Sequence, residues 1–408
     1  MHILQNMFDN FYPGYEVTNF ELLENSNQLT INLEPIDPPV CPHCHSSNVV
    51  VHQYRVRRIK DAPIRLKNVD LIVKYRVVRC NCCEKTSTEK IGFKADNFNV
   101  TKELQKGVIE DLEKLGSIKD TADRFGICWD TCKEIHKQYL QKTIAFDLGD
   151  AKILARDEFS LKRGHKYATV VIDLEARRVI WVGKGKSITE VDEFFKKCGT
   201  LGCQQIEAVA MDQNAGFATC VKKYCPNAKV VYDLFHMIYN YGRLVISAIR
   251  LRLSNDKKED NDQVAYKILK NSRFLLLAKN SNLSADKKIK LNNILEFYQD
   301  LYAANELKEL LPDVFNANSK EEAEKLWNEW YELAMQSEVE EITRFAANQN
   351  KRYKEGIINS GIYHIRTSIL EGINNKIKVL KRIAFGYRDS EYFFLRIKSA
   401  FRGKALST

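Results

Sequence analysis

Two kinds of residue in this sequence could do chemistry: paired cysteines near its start and isolated carboxylates further on. Cys41-Pro-His-Cys44 and Cys80-Asn-Cys-Cys83 are two CxxC pairs. Each can present two thiolates from one tight turn, and two such turns complete a tetrahedral site for a structural Zn2+ ion. The 35 residues between the pairs exceed the common ribbon spacing, but they hold enough strand-like sequence to bring the turns together. Cys82 is a spare thiol, and His43 or His45 could replace one thiolate. Among the carboxylates, Asp157 lies in the strand-like run ILARDEFSL, Asp212 ends the run IEAVAM, and Glu371 opens the helical run EGINNKIKVLKR. Carboxylate oxygens suit hard divalent ions such as Mg2+. Two such ions, about 3.5–4 Å apart, activate a nucleophile and stabilise a leaving oxygen in phosphodiester chemistry.

A lone aspartate at a strand end is usually a turn former, and a lone amphipathic helix is usually a surface helix, so the surrounding elements decide. Glu371, Asn375, Lys378 and Arg382 share one helical face, while Ile373, Ile377, Leu380 and Ala384 follow the same offsets on another. One face can pack on a sheet while the other offers a metal ligand and cations, with Lys381 beside them. Between residues 151 and 233 the order reads β-β-β-α-β-α-β, which implies a mixed sheet flanked by helices. From 234 to about 355 no convincing strand occurs. Ser319-Lys-Glu-Glu322 there fits a capping box opening the helix of Trp327 and Trp330.

Upstream, Ser117–Gly126 reads as a short helix ending at glycine, and Ile127–Ile135 begins the next, continuing to Leu140. Ala122 suits a tight crossing, and Ile118, Phe125, Ile127 and Ile135 could fill a small core. This is helix-turn-helix grammar, with Trp129, Asp130, Thr131 and Lys133 opening the recognition helix. The strands between the cysteine pairs carry Arg55, Arg57, Arg58, Lys60, Lys74, Arg76 and Arg79; at alternating positions several would share a solvent face and track phosphates.

The bulk properties agree with several folded domains that meet a polyanion. The chain has 408 residues and is 44% hydrophobic, enough for more than one core. Its net charge of +10 is concentrated in residues 41–90 and 351–408, while the remainder is mildly acidic. No run of 18 apolar residues occurs, so no membrane span is expected. The start, MHILQNMFDNFYPGYEV, lacks the basic and apolar regions of a signal peptide. A cytoplasmic chain keeps its thiols reduced, so the eleven cysteines are read as metal ligands or buried apolar groups.

The runs ARDEFSLKRGHKYATVVIDLEARRVI, AVAMDQNAGFATCVKKYCPNAKVVYDLFHM and LEGINNKIKVLKRIAFGYRD, together with the CPHC…CNCC block, resemble the bacterial insertion-sequence transposases of the ISL-three family. The resemblance runs from about residue 40 to 402 and weakens after His236. It implies an α/β multidomain chain: an N-terminal segment (1–40), a zinc-binding β module (41–92) and a helix-turn-helix (97–147). A ribonuclease-H-like catalytic domain would follow in two parts (150–240 and 356–408), interrupted by an α-helical insertion (241–355). The implied triad is Asp157, Asp212 and Glu371, holding two Mg2+ or Mn2+ ions, with Asp233 and His236 in support. Asp233 is the strongest alternative for the second position. Arg156 departs from the small or apolar residue expected before Asp157, and a strand-end arginine can point outward. The implied partners are double-stranded DNA, at the element's terminal inverted repeats and at the target, and further copies of the chain in a dimer or larger synaptic complex. The implied location is the nucleoid. The insertion could serve dimerisation or shield DNA. Two competing readings are a DNA-binding regulator that keeps the fold without the chemistry, and a metal-dependent nuclease that cuts without joining.

Overall fold

A computed structural model describes residues 10–403 apart from 24–26, 115, 163–165, 186, 366–367 and 385. The first nine positions of the expected N-terminal segment therefore lie outside the described residues. The chain divides into two compact units: the residues up to 145 with 378–400, and residues 146–377 with those from 401 on. No helix among the described residues is long and apolar enough to cross a membrane.

The first unit is built on five strands: β1 (Tyr15–Leu23), β2 (Gln28–Pro35), β3 (Val49–Ile64), β4 (Lys67–Cys80) and β5 (Thr86–Thr88). Their order is β1-β2-β4-β3, with β5 also on β4. β3 and β4 form a long antiparallel hairpin, from Val49 opposite Cys80 to Ile64 opposite Lys67. It turns through Arg65 and Leu66, both at positive φ, the sign that lets a two-residue turn follow the right-handed twist of the strands. β2 runs parallel to β4, so Ile31 and Leu33 meet Ile59, Leu71 and Val73 in one buried cluster. The expected segment 1–40 thus supplies two strands to the same sheet as the cysteine block. The sequence did not announce them because β1, the local partner of β2, is mostly exposed, while the buried face of β2 packs with β4 about 40 positions away.

Three helices follow: α1 (Lys102–Glu113), α2 (Ile118–Phe125) and α3 (Trp129–Thr143). Ser117 caps α2 by accepting the Asp120 N–H, and Gly126 ends it in the left-handed region at φ 61. The chain then turns directly into α3. Leu104, Val108, Leu112, Ala122, Cys132 and Ile135 are buried together, with Ile118, Phe125 and Ile127 packed around them, as helix-turn-helix grammar requires.

The second unit carries β6 (Ile153–Lys162), β7 (Lys166–Asp173), β8 (Arg178–Lys184), α4 (Ile188–Gln205), β9 (Ala208–Met211), α5 (Ala215–Tyr224) and β10 (Lys229–Tyr232). The sheet order is β10-β9-β6-β7-β8; β6, β7 and β8 are antiparallel, and β9 and β10 run parallel to β6. This is the strand arrangement expected of a ribonuclease-H-like domain. Helices then take over: α6 (Leu234–Tyr241), a π turn (Gly242–Ile246), α7 (Ser247–Glu259), α8 (Gln263–Asn271), α9 (Arg273–Leu277), α10 (Ala285–Phe297), α11 (Gln299–Phe315), α12 (Lys320–Gln336), α13 (Glu340–Arg352) and α14 (Lys354–Ile358). Ser319 caps α12 on the Glu322 N–H, and Trp327 and Trp330 are buried in a core that is continuous with the sheet through Tyr241, Met237 and Phe217.

Two helices close the chain, α15 (Ser368–Ile383) and α16 (Ser390–Ala400). The resemblance implies that 356–408 closes the catalytic domain as one part. In the structure α16 belongs to the first unit, where Tyr392 and Leu395 cover Leu140 of α3 and the Tyr392 hydroxyl meets His136 Nδ1 at 2.8 Å.

Candidate active site and zinc centre

In the first unit the β3–β4 hairpin sets the two cysteine turns side by side. Asn81 N donates to the Asn48 carbonyl just beyond the last paired residues. Each turn is closed by a residue at positive φ, His45 after Cys44 and Glu84 after Cys83. The sulfurs of Cys41, Cys44, Cys80 and Cys83 all lie within 4.8 Å of one another. Cys41 Sγ is 3.6 Å from Cys83 Sγ, and Cys44 Sγ is 3.5 Å from Cys80 Sγ. A tetrahedron with Zn–S bonds of about 2.3 Å has sulfur–sulfur edges of about 3.8 Å, so the four thiols fit a structural zinc ion. Backbone N–H groups of Cys83 and Cys82 hold the Cys80 thiol down to about 6, which favours the thiolate that zinc needs. His43 and His45 are exposed and outside the cluster, and Cys82 faces Ser46 instead.

In the second unit strand register places the carboxylates. Ala155 of β6 pairs with Ala210 of β9, and Met211 pairs with Tyr232 of β10. Counting onward, Asp157, Asp212 and Asp233 take equivalent positions at one end of three adjacent parallel strands, whose spacing is about 4.8 Å. Burial pushes the Asp157 carboxyl above its ordinary range and the Asp212 charge adds to this, while the Glu158 N–H, Asn374 and His236 oppose it. Asp233 is raised in the same way, by burial and then by Asp157 and Asp212, with the Phe235 N–H and His236 opposing. Three like charges in a half-buried row are a site short of positive charge.

Two neighbours shape this row. Arg156 is buried; its Nη1 donates to Asp212 Oδ1 at 2.9 Å and its Nη2 to Glu158 Oε1 at 2.5 Å, and its guanidinium lies over the Phe217 ring. From α15, Asn374 Nδ2 donates to Asp157 Oδ2, and its Oδ1 is buried without a partner. An orphaned amide oxygen beside carboxylates is a donor set that suits a hard divalent ion. Glu371 sits one turn earlier on the same helix; it is exposed, and among the described residues no hydrogen bond or ion pair joins it to the aspartates. The structure thus brings together Asp157, Asp212, Asp233 and His236, with Asn374 rather than Glu371 as the helix's direct contact.

Two family models match the sequence. One, described as a transposase and drawn from the ISL3 group, covers residues 154–397. The other, described as the zinc-finger of transposase IS204/IS1001/IS1096/IS1165, covers residues 37–83. The chain belongs to the ISL3 transposase family. It is 36% identical over 397 residues, 97% of each chain, to the transposase for insertion sequence element IS1001 of Bordetella parapertussis. It is 28% identical over 254 residues, 58% of this chain and 56% of the other, to the transposase for insertion sequence element IS1557 of Mycobacterium tuberculosis.

Within this ISL3 transposase the basic residues read as DNA contacts divide. Arg55 and Arg58 are exposed on β3, an edge strand, although Arg58 also pairs with buried Asp70 at 2.6 Å. Arg57 lies over the Tyr75 ring. Lys74 is half-buried, over the Tyr54 ring and 3.0 Å from Glu34. Arg76 does not face solvent: it is 8% exposed and donates to Glu89 and to the Asp37 carbonyl. The segments after β2 and β5, through Asp37 and Glu89, cover this position on β4. Trp129 stands exposed at the start of α3, Thr131 is half-buried, and Lys133 pairs with Asp389 at 3.4 Å. Asn375, Lys378 and Arg382 are exposed along α15 with Lys381 half-buried, opposite buried Ile373, Ile377 and Leu380.

Sequence reasoning missed three partners. Asn374 was hidden by the choice of Glu371, although an i, i+3 offset puts them on neighbouring surface. Arg156, which could have pointed outward from a strand end, points into the site, because Asp212 and Glu158 give its charge partners that water would otherwise supply. Gln213, next to Asp212, exchanges side-chain hydrogen bonds with Gln349 of α13 at 2.6 and 3.2 Å, tying the insertion to the loop after β9.

Proposed function

We propose that the chain binds the terminal inverted repeats of its own element, cuts a DNA strand there and joins the freed end to target DNA. The observation that carries this is the row of Asp157, Asp212 and Asp233 on adjacent parallel strands in a family of DNA-moving enzymes. Asp157, Asp212 and Glu371 are the catalytic carboxylates of this reading, and Asp233 and His236 support them. Bound there, Mg2+ or Mn2+ would activate water and then the 3′-hydroxyl, and neutralise charge on the phosphodiester. The protein's own groups do the positioning. Arg156 leaves one oxygen of Asp212 committed and the other free to face the site. Asn374 fixes Asp157 against α15, which also carries Glu371. His236 offsets the crowded negative charge.

The zinc module and helix-turn-helix hold the element end in this reading. Arg55 and Arg58 on the β3 edge would meet phosphates, and Trp129, Thr131 and Lys133 would reach base edges. Asn375, Lys378, Lys381 and Arg382 along α15 would meet DNA phosphates as well. Joining two ends at one target calls for a dimer or a larger synaptic complex.

The test is incubation of a labelled duplex carrying the element's own end with a target plasmid and Mg2+. Wild type should nick at the end and form a joined product, and Asp212→Asn should bind the end equally and do neither. A wild-type protein that nicks but never joins would be a nuclease. One that binds and leaves DNA intact with Mg2+ and Mn2+ would be a regulator.

A further inference from the structure

A cleft of about 510 Å³ opens beside the edge strand of the second unit's sheet, between α5, β10 and the α13–α14 junction. Its floor is small and apolar, including Ala218, Cys225 and Ala228. Three cations line it: Lys222 from α5, Lys229 from β10 and Arg352 from the end of α13. Lys222 is 3.5 Å from Glu355, and both are two-thirds exposed; Lys229 and Arg352 have no ion-pair partner among the described residues. The cleft runs along β10 from Lys229 to Tyr232, three residues or roughly 10 Å. Tyr232 directly precedes Asp233, and Ala215, also in the lining, follows Asp212 by three positions. The Tyr232 end of the cleft is the one nearer the carboxylates: the Tyr232 hydroxyl is raised by burial first, then by Tyr353, Glu355 and the Asp212 charge.

We propose that this cleft seats the phosphate backbone of the DNA strand that enters the carboxylate site. The inference rests on the reading of the chain as a DNA-cutting and DNA-joining enzyme. Its length of roughly 10 Å holds two neighbouring phosphates of one strand, whose separation along the backbone is about twice the axial rise of about 3.4 Å per step. The cations sit along a channel with an apolar floor, which suits sugar faces between charged phosphates. The cleft adds surplus positive charge to a unit whose carboxylates, by themselves, would repel DNA. The arrangement lets the strand be held by Lys229 and Arg352 while its scissile phosphate is brought to Asp157, Asp212 and Asp233. It also gives the insertion a direct part in substrate binding, because Arg352 and Tyr353 come from it.

The test is binding of the full-length chain to a fluorescent duplex carrying the element's end, measured across salt concentrations. The double substitution Lys229→Ala/Arg352→Ala should make the dependence of log affinity on log salt shallower by about 1.8, because each lost phosphate contact removes about 0.9. Glu355→Lys should make it steeper by about 0.9 or more, a gain that misfolding does not produce. Unchanged slopes in both variants would overturn the proposal. If wild type joins DNA while both slopes stay unchanged, the cleft assignment alone fails. If both slopes move as stated while wild type never cuts, the cleft stands as a DNA site and the enzyme reading fails.

Discussion

Arg156, buried beneath the sheet's carboxylate end, donates to Asp212 at 2.9 Å and so neutralises part of the site from within. Removing it would leave Asp212 and Glu158 without their partner and open a space against Phe217. Breaking a buried pair from one side typically costs about 3–5 kcal/mol. Arg156→Met should lower the thermal midpoint of the second unit, and added Mg2+ should recover more stability in the variant than in wild type. An unchanged midpoint would contradict the role given to this arginine.

The link between Asn374 and Asp157 carries a second expectation. Residues that orient metal-binding carboxylates typically cost about 10- to 100-fold in metal affinity or activity when replaced. Asn374→Ala should lower end-cleavage by that range and raise the Mg2+ concentration needed, without changing affinity for the element end. Full activity at low Mg2+ would show that α15 contributes through Glu371 alone.

The thiol cluster predicts one zinc per chain, released by thiol modification and read with a metal-sensitive dye. Cys80→Ser should lose the ion and the folding of the β3–β4 region with it, since such sites are formed and paid for together. Cys82→Ser should keep it, because that thiol faces Ser46. Loss of zinc from Cys82→Ser would reassign the ligand set.

Asp70 predicts an acid limit for the first unit. It is fully buried, which alone would raise its carboxyl, but hydrogen bonds and charge from Arg58 and Lys60 outweigh burial and hold it below the usual range. A depressed folded value contributes stability above the unfolded value of about 3.9, lost as pH falls through the folded value. Asp70→Asn should be less stable at neutral pH and show a flatter decline between about pH 4 and pH 2. Equal steepness in both proteins would contradict this.

Much of the fold was legible because its signals are local. Alternation between 151 and 233 gave the order of β6–β10 with α4 and α5, and Ser117 and Gly126 bounded α2. The CxxC pairs pointed to their own cluster, since each sits on one turn. What stayed hidden depends on pairing over distance. The buried face of β2 was invisible without β4, and Arg76 was misread because its partners Glu89 and Asp37 lie 13 and 39 positions away. Asp233 joins the row through a register that the sequence does not print. The direction of Arg156 stayed open because it is set by its partners, here 2 and 56 positions away.

The central claim is that Asp157, Asp212 and Glu371 of α15 share divalent ions, with Asp233 beside them. Iron-directed cleavage tests it most directly: Fe2+ takes the place of Mg2+, and ascorbate with peroxide cuts the backbone wherever the ion is held. The account predicts cuts near residues 157, 212, 233 and 371–374, suppressed by Mg2+ and lost in Asp157→Asn. Cuts confined to other segments, or a pattern unchanged in Asp157→Asn, would contradict it.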